Sequence, residues 1–236
     1  MKQFNFLLLL LVIAVVTSCS KSDEQASGAG DAIIVSKKID GNVVYGVSLY
    51  AYTYSEFKSV TAVGSANPEK TYTLASNQGY KTSFYYDAPD AEFSSIPPPA
   101  ATYTYSAVFQ NGNIHTFEDV LTSQVLPVPA VTTMVYSSLG KTLTVSWNTV
   151  PLADNYAVSL TDENNHVVYS SNTFNSLSSS IPASGTGWIS STSAVDGKTY
   201  KLKLFAFAYE SEVDFYNVQA TSIDEKSIVW AANPVQ

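Results

Sequence analysis

The chain of 236 residues contains no arginine, a single cysteine and only two histidines. Arginine supplies the planar guanidinium group that binds phosphates and guanine edges. Its absence, together with a net charge of −8, argues against a nucleic-acid-binding protein. One cysteine excludes a disulfide within the chain. His115 and His166 have no histidine or cysteine nearby in the sequence, so we expect no zinc site and interpret both as ordinary histidines.

Motifs of the common enzyme classes are also absent, including Gly-x-Ser-x-Gly, the P-loop and His-Glu-x-x-His. We therefore expect a non-enzymatic protein without a cofactor, and we keep a hydrolase only as a low-ranked alternative. The segment Asp87–Glu92 places three carboxylates on one loop, and calcium prefers oxygen ligands of this type. Because its spacing is not that of an EF-hand, we interpret it as a solvated acidic loop and leave a calcium site open.

No apolar run is long enough to cross a bilayer, which takes about 20 residues. The run Phe6–Val16 follows Lys2 and precedes small polar residues, a pattern typical of a secretory signal peptide. Val16-Thr17-Ser18-Cys19 resembles the lipobox of bacterial lipoproteins, in which the cysteine is acylated and the chain is cut before it. The resemblance implies a signal peptide over residues 1–18 and a lipid anchor at Cys19, with an ordinary secreted protein as the alternative.

The residues after Cys19 add two further resemblances. The residue after the cysteine is Ser20 rather than Asp, and in this the chain resembles lipoproteins bound for the outer membrane. The segment Lys21–Glu24 resembles the acidic tag of surface lipoproteins of the Bacteroidota. Together they imply an outer-membrane, lipid-anchored and surface-exposed protein. Residues 19–30 are rich in Ser, Gly and Ala and predict a flexible tether. Without residues 1–18 the chain has 11 lysines and 20 acidic residues, so anionic lipid would repel it and only the anchor would hold it.

The composition is that of β-strands, with 13% aromatic residues, 16 tyrosines and only 14% charged residues. Short alternating segments are separated by turn signals such as Asp40-Gly41 and Asn111-Gly112. This pattern predicts an all-β fold of two tandem immunoglobulin-like sandwiches over residues 31–126 and 127–236. The stiff connection Leu126–Pro129 predicts that the two domains sit end to end.

The second domain resembles a fibronectin type III domain through three aromatic residues. Trp147 lies on its second predicted strand, Tyr156 opens the third, and Tyr200 follows Asp196-Gly197 at the position of a tyrosine corner. The resemblance covers about residues 128–223 and implies a β-sandwich of that family. The same fold occurs in spacers, adhesins and recognition modules, so it does not give the function.

Two rows of aromatic residues are the candidate binding surface. On the predicted strands, one row alternates with Val47, Leu49 and Ala51 and the other with Leu202, Leu204 and Ala206. The rows consist of Tyr50, Tyr52 and Tyr54 and of Phe205, Phe207 and Tyr209. Large exposed apolar patches usually mark a partner surface, although burial of the rows is the favoured alternative.

The sequence therefore favours a cell-surface lipoprotein that acts as a protein-binding, adhesion or structural module. A glycan-binding lipoprotein of a carbohydrate-uptake system is the alternative, because aromatic rings can stack on sugars. The two hypotheses differ in the rings they require. A sugar platform needs coplanar, solvent-facing rings with polar groups beside them, whereas a protein interface needs a broader apolar patch.

Overall fold

A computed structural model describes residues 27–77, 79–210 and 217–231. The predicted signal peptide and Cys19 lie outside these residues. The described part is nearly all β-structure, with short 3₁₀ turns at Asp90–Glu92 and Ile189–Ser191. None of its helical turns is long and apolar enough to cross a membrane.

In the part of the first sandwich that the structure describes, seven antiparallel strands enclose one hydrophobic core. The strands are β1 (Gly28–Ile39), β2 (Asn42–Thr53), β3 (Phe57–Gly64), β4 (Asn67–Asn77), β5 (Tyr80–Asp87), β6 (Ala101–Phe109) and β7 (Ile114–Leu121). They are ordered β1-β2-β5-β4-β3-β6-β7. β4 pairs with β3 up to Leu74 and with β5 from Ala75, so it passes from one layer to the other. The enclosed core includes Leu49, Phe57 and Tyr105.

The predicted turn at Asp40-Gly41 is confirmed, because Ile39 pairs with Asn42 and the two turn residues have φ of 50° and 81°. Both values lie in the left-handed region that a two-residue hairpin of this type requires.

The predicted tether is wrong at its last three residues, because β1 begins at Gly28. Glycine is needed there for close packing. A Cβ at Gly30 would lie 2.5 Å from the ring of Tyr105, and one at Gly28 would lie 2.7 Å from Phe117. Glycine-rich composition therefore marks a close approach of backbone to aromatic rings at this end of β1.

In the second sandwich, the described residues form seven strands arranged in two sheets. They are β8 (Val131–Ser137), β9 (Thr142–Trp147), β10 (Asn155–Thr161), β11 (Val167–Ser170), β12 (Ser178–Pro182), β13 (Thr199–Tyr209) and β14 (Val218–Val229). One sheet is β8-β9-β12, and β11-β10-β13-β14 forms the other layer. Three strands packed on four confirm the predicted fold class of immunoglobulin-like sandwiches.

The three aromatic residues of the fibronectin resemblance have the expected positions. The Tyr200 hydroxyl accepts a hydrogen bond from the Val195 N–H at 3.1 Å, which is the bond of a tyrosine corner. The Tyr156 hydroxyl accepts from the Val150 N–H at 2.9 Å, and its ring lies 5.5 Å from that of Trp147. Trp188 and Trp230, which fall outside the fibronectin pattern, are buried in the same core.

The two sandwiches are joined side by side, and the expected end-to-end arrangement is wrong. β1 pairs in parallel with β14 from Ile34 and Ala220 to Lys37 and Ile223, so one sheet of 11 strands runs through both halves. We call this parallel pairing of β1 with β14 the seam. The Ser222 hydroxyl of β14 donates to the Pro127 carbonyl at 2.9 Å, which joins the linker to the seam. The division at residues 126 and 127 stays a prediction, and Leu126 packs in the second core.

Candidate functional site

The seam places the two aromatic rows on one face of the continuous sheet. Residues that face each other in a ladder point to the same side. Tyr50 faces Asp31 on β1, and Asp31 lies on the same side of β1 as Val35, four residues further on. Val35 faces Thr221 on β14, which in turn faces Phe207 on β13. The residues of this outer aromatic face are Tyr50, Tyr52, Phe205, Phe207 and Tyr209, with Ile33 and Val35 between the rows.

The face assignment from the sequence is confirmed, because the alternating partners of both rows are core residues. The rows themselves are neither core nor fully open. Tyr52 is 40% exposed, and the other four row residues on this face are half-buried. Tyr54 lies just beyond β2 and is fully exposed, so it extends past the face. Ile33 and Val35, which lie between the two rows and form the apolar floor of the face, are each only 6% exposed, so neighbouring residues cover them almost completely.

The rings of the face stand against each other in pairs. Phe205 and Phe207 have ring centroids 5.9 Å apart with planes at 5°, and Tyr50 and Tyr85 are 6.1 Å apart at 21°. Both pairs have near-parallel ring planes and lie within the range of centroid distances of favourable aromatic contacts. Sequence analysis missed Tyr85, although the alternation on β5 beside buried Phe84 could have placed it on this side.

Carboxyl groups gather at the end of the face where β1 leaves β14 and approaches β7. Asp31 Oδ2 accepts the Val218 N–H at 3.1 Å, and Asp119 Oδ2 of β7 accepts the Ala32 N–H at 2.7 Å. Glu210 follows the end of β13. We name Asp31, Asp119 and Glu210, together with Tyr52 and Asn217, the acidic crevice. The Tyr52 hydroxyl donates to Asn217 Oδ1 at 3.0 Å across it.

Burial is the main cause of the raised pKa values of these carboxyl groups. The pKa of Asp31 is raised to about 8 mainly by burial and also by the charges of Asp119 and Glu210, while the Val218 N–H lowers it. Burial also raises the pKa of Asp119. The pKa of Glu210 is raised by burial and by Asp119. No sequence pattern indicated this group, because its members are far apart in the chain and meet only at the seam.

The opposite end of the face carries paired charges. Phe93 covers the backbone at Gly46, where a Cβ would lie 2.8 Å from its ring. The Lys37 ammonium lies 3.9 Å from the centre of the Phe93 ring and 2.6 Å from Asp90 Oδ1. Lys203 lies 3.1 Å from Glu225 Oε1. Lysines therefore neutralise carboxylates at this end.

The carboxylates of the candidate calcium loop have separate partners. Asp90 pairs with Lys37, Glu92 pairs with Lys70 at 2.5 Å, and Asp87 accepts from the Ser48 hydroxyl at 2.6 Å. Within residues 27–77, 79–210 and 217–231, no group of three or more His, Cys, Asp or Glu side chains is arranged to hold a metal ion.

No protein-family model matches the sequence, and no curated protein matches it. Among solved structures, the chain is similar to a cytokine receptor complex, at 13% identity over 86% of this chain and 98% of that chain, with a TM-score of 0.33. A two-domain fibronectin type III segment of chicken tenascin is similar at 15% identity over 77% and 91%, with a TM-score of 0.29. Fibronectin(III)-like modules of Clostridium thermocellum CbhA are similar at 13% over 86% and 93%, with a TM-score of 0.27. At these values the similarities carry no argument about function, and the fold assignment rests on the strand order and the two cores.

Proposed function

We propose that the chain is a non-enzymatic surface lipoprotein, anchored through Cys19 in the outer membrane, that binds a partner protein through its outer aromatic face. The anchor rests on the lipobox resemblance alone. The binding role rests on the arrangement of the aromatic rows. These are independent parts of the proposal and are tested separately.

The continuity of the outer aromatic face is the observation that carries the binding role. Each row lies on its own sandwich, and only the pairing of β1 with β14 brings both onto one surface. The face combines half-buried rings, an apolar floor and charges at both ends. Aromatic anchors surrounded by polar groups are typical of protein interfaces.

Ring exposure favours a protein partner over a glycan. A sugar platform needs solvent-facing rings, but Tyr50, Phe205 and Phe207 are half-buried on this face. Tyr52 and Tyr54 are the exposed rings that keep the glycan-binding alternative in the test.

The proposal is tested by site-specific photo-crosslinking of the full chain on intact cells. A photoreactive amino acid replaces Tyr52 in one variant and Phe207 in another. Matched controls place it at Ile114 and Val135, which are 70% and 54% exposed on other surfaces. We expect the same protein to be crosslinked from both face positions and from neither control.

Two outcomes contradict the proposal. Crosslinks of equal yield from all four positions would remove the face as the site. No protein product, combined with oligosaccharide binding that is lost in Tyr52→Ala, would establish the glycan alternative instead.

A further inference from the structure

Among the described residues, no lysine or histidine forms a salt bridge with Asp31, Asp119 or Glu210 of the acidic crevice. The salt bridges of the described residues use other carboxylates: Glu56, Asp90, Glu92, Asp162, Asp224 and Glu225. Asp31, Asp119 and Glu210 take part in none of these pairs. The charges of Asp119 and Glu210 raise the pKa of Asp31, and that of Asp119 raises the pKa of Glu210. None of these three carboxyl groups has a lysine partner among the described residues.

Asp31 provides an independent observation at the same place. Its side chain is 5% exposed, and its Oδ2 accepts the Val218 N–H. Its other oxygen, Oδ1, is buried and has no hydrogen-bond partner among the described residues. When Asp31 is ionised, Oδ1 is a buried acceptor without a donor, and this carries a large free-energy penalty that a charged donor removes.

The arrangement suits a guanidinium better than a metal ion. The carboxyl groups of the crevice do not converge as metal ligands. A guanidinium presents five N–H donors in a planar fork, so it can donate to several separate acceptors without their converging on one point. The ring of Tyr52 is 40% exposed beside the crevice and can contribute a cation–π contact.

We propose that the acidic crevice binds an arginine side chain of the partner protein, supplied by a segment that packs its apolar neighbours on the outer aromatic face. This chain contains no arginine, so a second copy cannot supply the group. The inference rests on the proposed protein-binding function and names the chemistry of its partner.

The inference is tested with N-acetyl-arginine amide, followed by amide chemical shifts of the full chain. Isosteric and uncharged N-acetyl-citrulline amide is the control ligand. We expect the arginine compound to shift the amides of Val218 and Ala32, with a Kd on the order of millimolar. Binding should weaken with salt, and it should strengthen from pH 6 to pH 9 as Asp31 ionises.

Protein variants locate the site. The double variant Asp119→Asn/Glu210→Gln should bind the arginine compound at least fivefold more weakly. Glu225→Gln, a carboxylate paired with Lys201 and Lys203, should bind it as the wild type does. Unchanged shifts elsewhere in the spectrum would show that both variants are folded.

Several results would overturn the inference: no shift at Val218 and Ala32, equal binding of the citrulline compound, or equal binding of N-acetyl-lysine amide. Each of these leaves the crosslinking result at Tyr52 and Phe207 untouched, so the binding role of the face can survive the loss of this inference. Conversely, arginine binding without a protein crosslink would refute the proposed function and leave a guanidinium site whose ligand is not a partner protein.

Discussion

Replacing Asp31 with asparagine should stabilise the protein at neutral and alkaline pH. The side chain is 5% exposed at the seam between the sandwiches, and burial raises its pKa from 3.8 to about 8. A carboxyl group with a raised pKa contributes stability that is present below its unfolded pKa of 3.8 and lost as the pH rises through about 8. Asparagine keeps an acceptor for the Val218 N–H and never carries the charge.

The magnitude follows from linkage at about 1.4 kcal/mol per pH unit. A shift of about four units corresponds to about 5 kcal/mol at pH 8 and to a ceiling of about 6 kcal/mol at higher pH. Burying the new amide group offsets about 1–3 kcal/mol of this gain at every pH. We therefore expect Asp31→Asn to be near neutral at pH 5 and more stable than wild type by about 3 kcal/mol at pH 8.

Urea unfolding at pH 5, 6, 7, 8 and 9, followed by far-UV circular dichroism and tryptophan fluorescence, measures the difference. Asp40→Asn is the matched control, because Asp40 lies exposed in the turn after the same strand. A difference between Asp31→Asn and wild type that stays constant from pH 5 to pH 9 would show that Asp31 ionises normally, and the reasoning on burial would fail.

Three further predictions concern other parts of the chain. Tyr200→Phe should lower the free energy of unfolding by about 1–3 kcal/mol in urea titrations, because the Val195 N–H loses its acceptor; an unchanged midpoint would contradict this role. Gly30→Ala should cost about 1–3 kcal/mol in the same assay, because its Cβ would lie 2.5 Å from the Tyr105 ring, and a stabilising effect would refute the packing argument. Cys19→Ala should release the protein from the membrane fraction, as judged by sedimentation and immunoblotting, and continued sedimentation with outer membranes would disprove the anchor.

Local pattern was enough to predict most strands and the core faces. The alternation of Tyr103, Tyr105, Ala107 and Phe109 predicts an inward row, and all four are at most 5% exposed. Positive-φ turn residues and the tyrosine corner at Tyr200 were likewise predictable, because each depends on residues close together in the chain.

The seam could not be predicted, because it depends on contacts between the two ends of the described chain. Ile34 and Ala220 are adjacent in the parallel ladder, but no local periodicity links them. Gly28 and Gly30 have the composition of a linker, and only the packed rings show why they are glycine. The same limit applies to the candidate site. Its two aromatic rows could be predicted from the sequence, but their position on one face and the burial of Asp31 depend on the seam.

The parallel direction of β1 and β14 has a mechanical consequence. β1 begins next to the proposed anchor, and β14 is the last strand of the described chain. Tension between residues 27 and 231 pulls the two strands in opposite directions along their common axis, so the hydrogen bonds of the ladder are strained in shear and share the load. A hairpin pulled apart at its open end would instead lose its bonds one after another. Force transmitted between the proposed anchor and the end of β14 therefore loads this ladder in its more resistant direction.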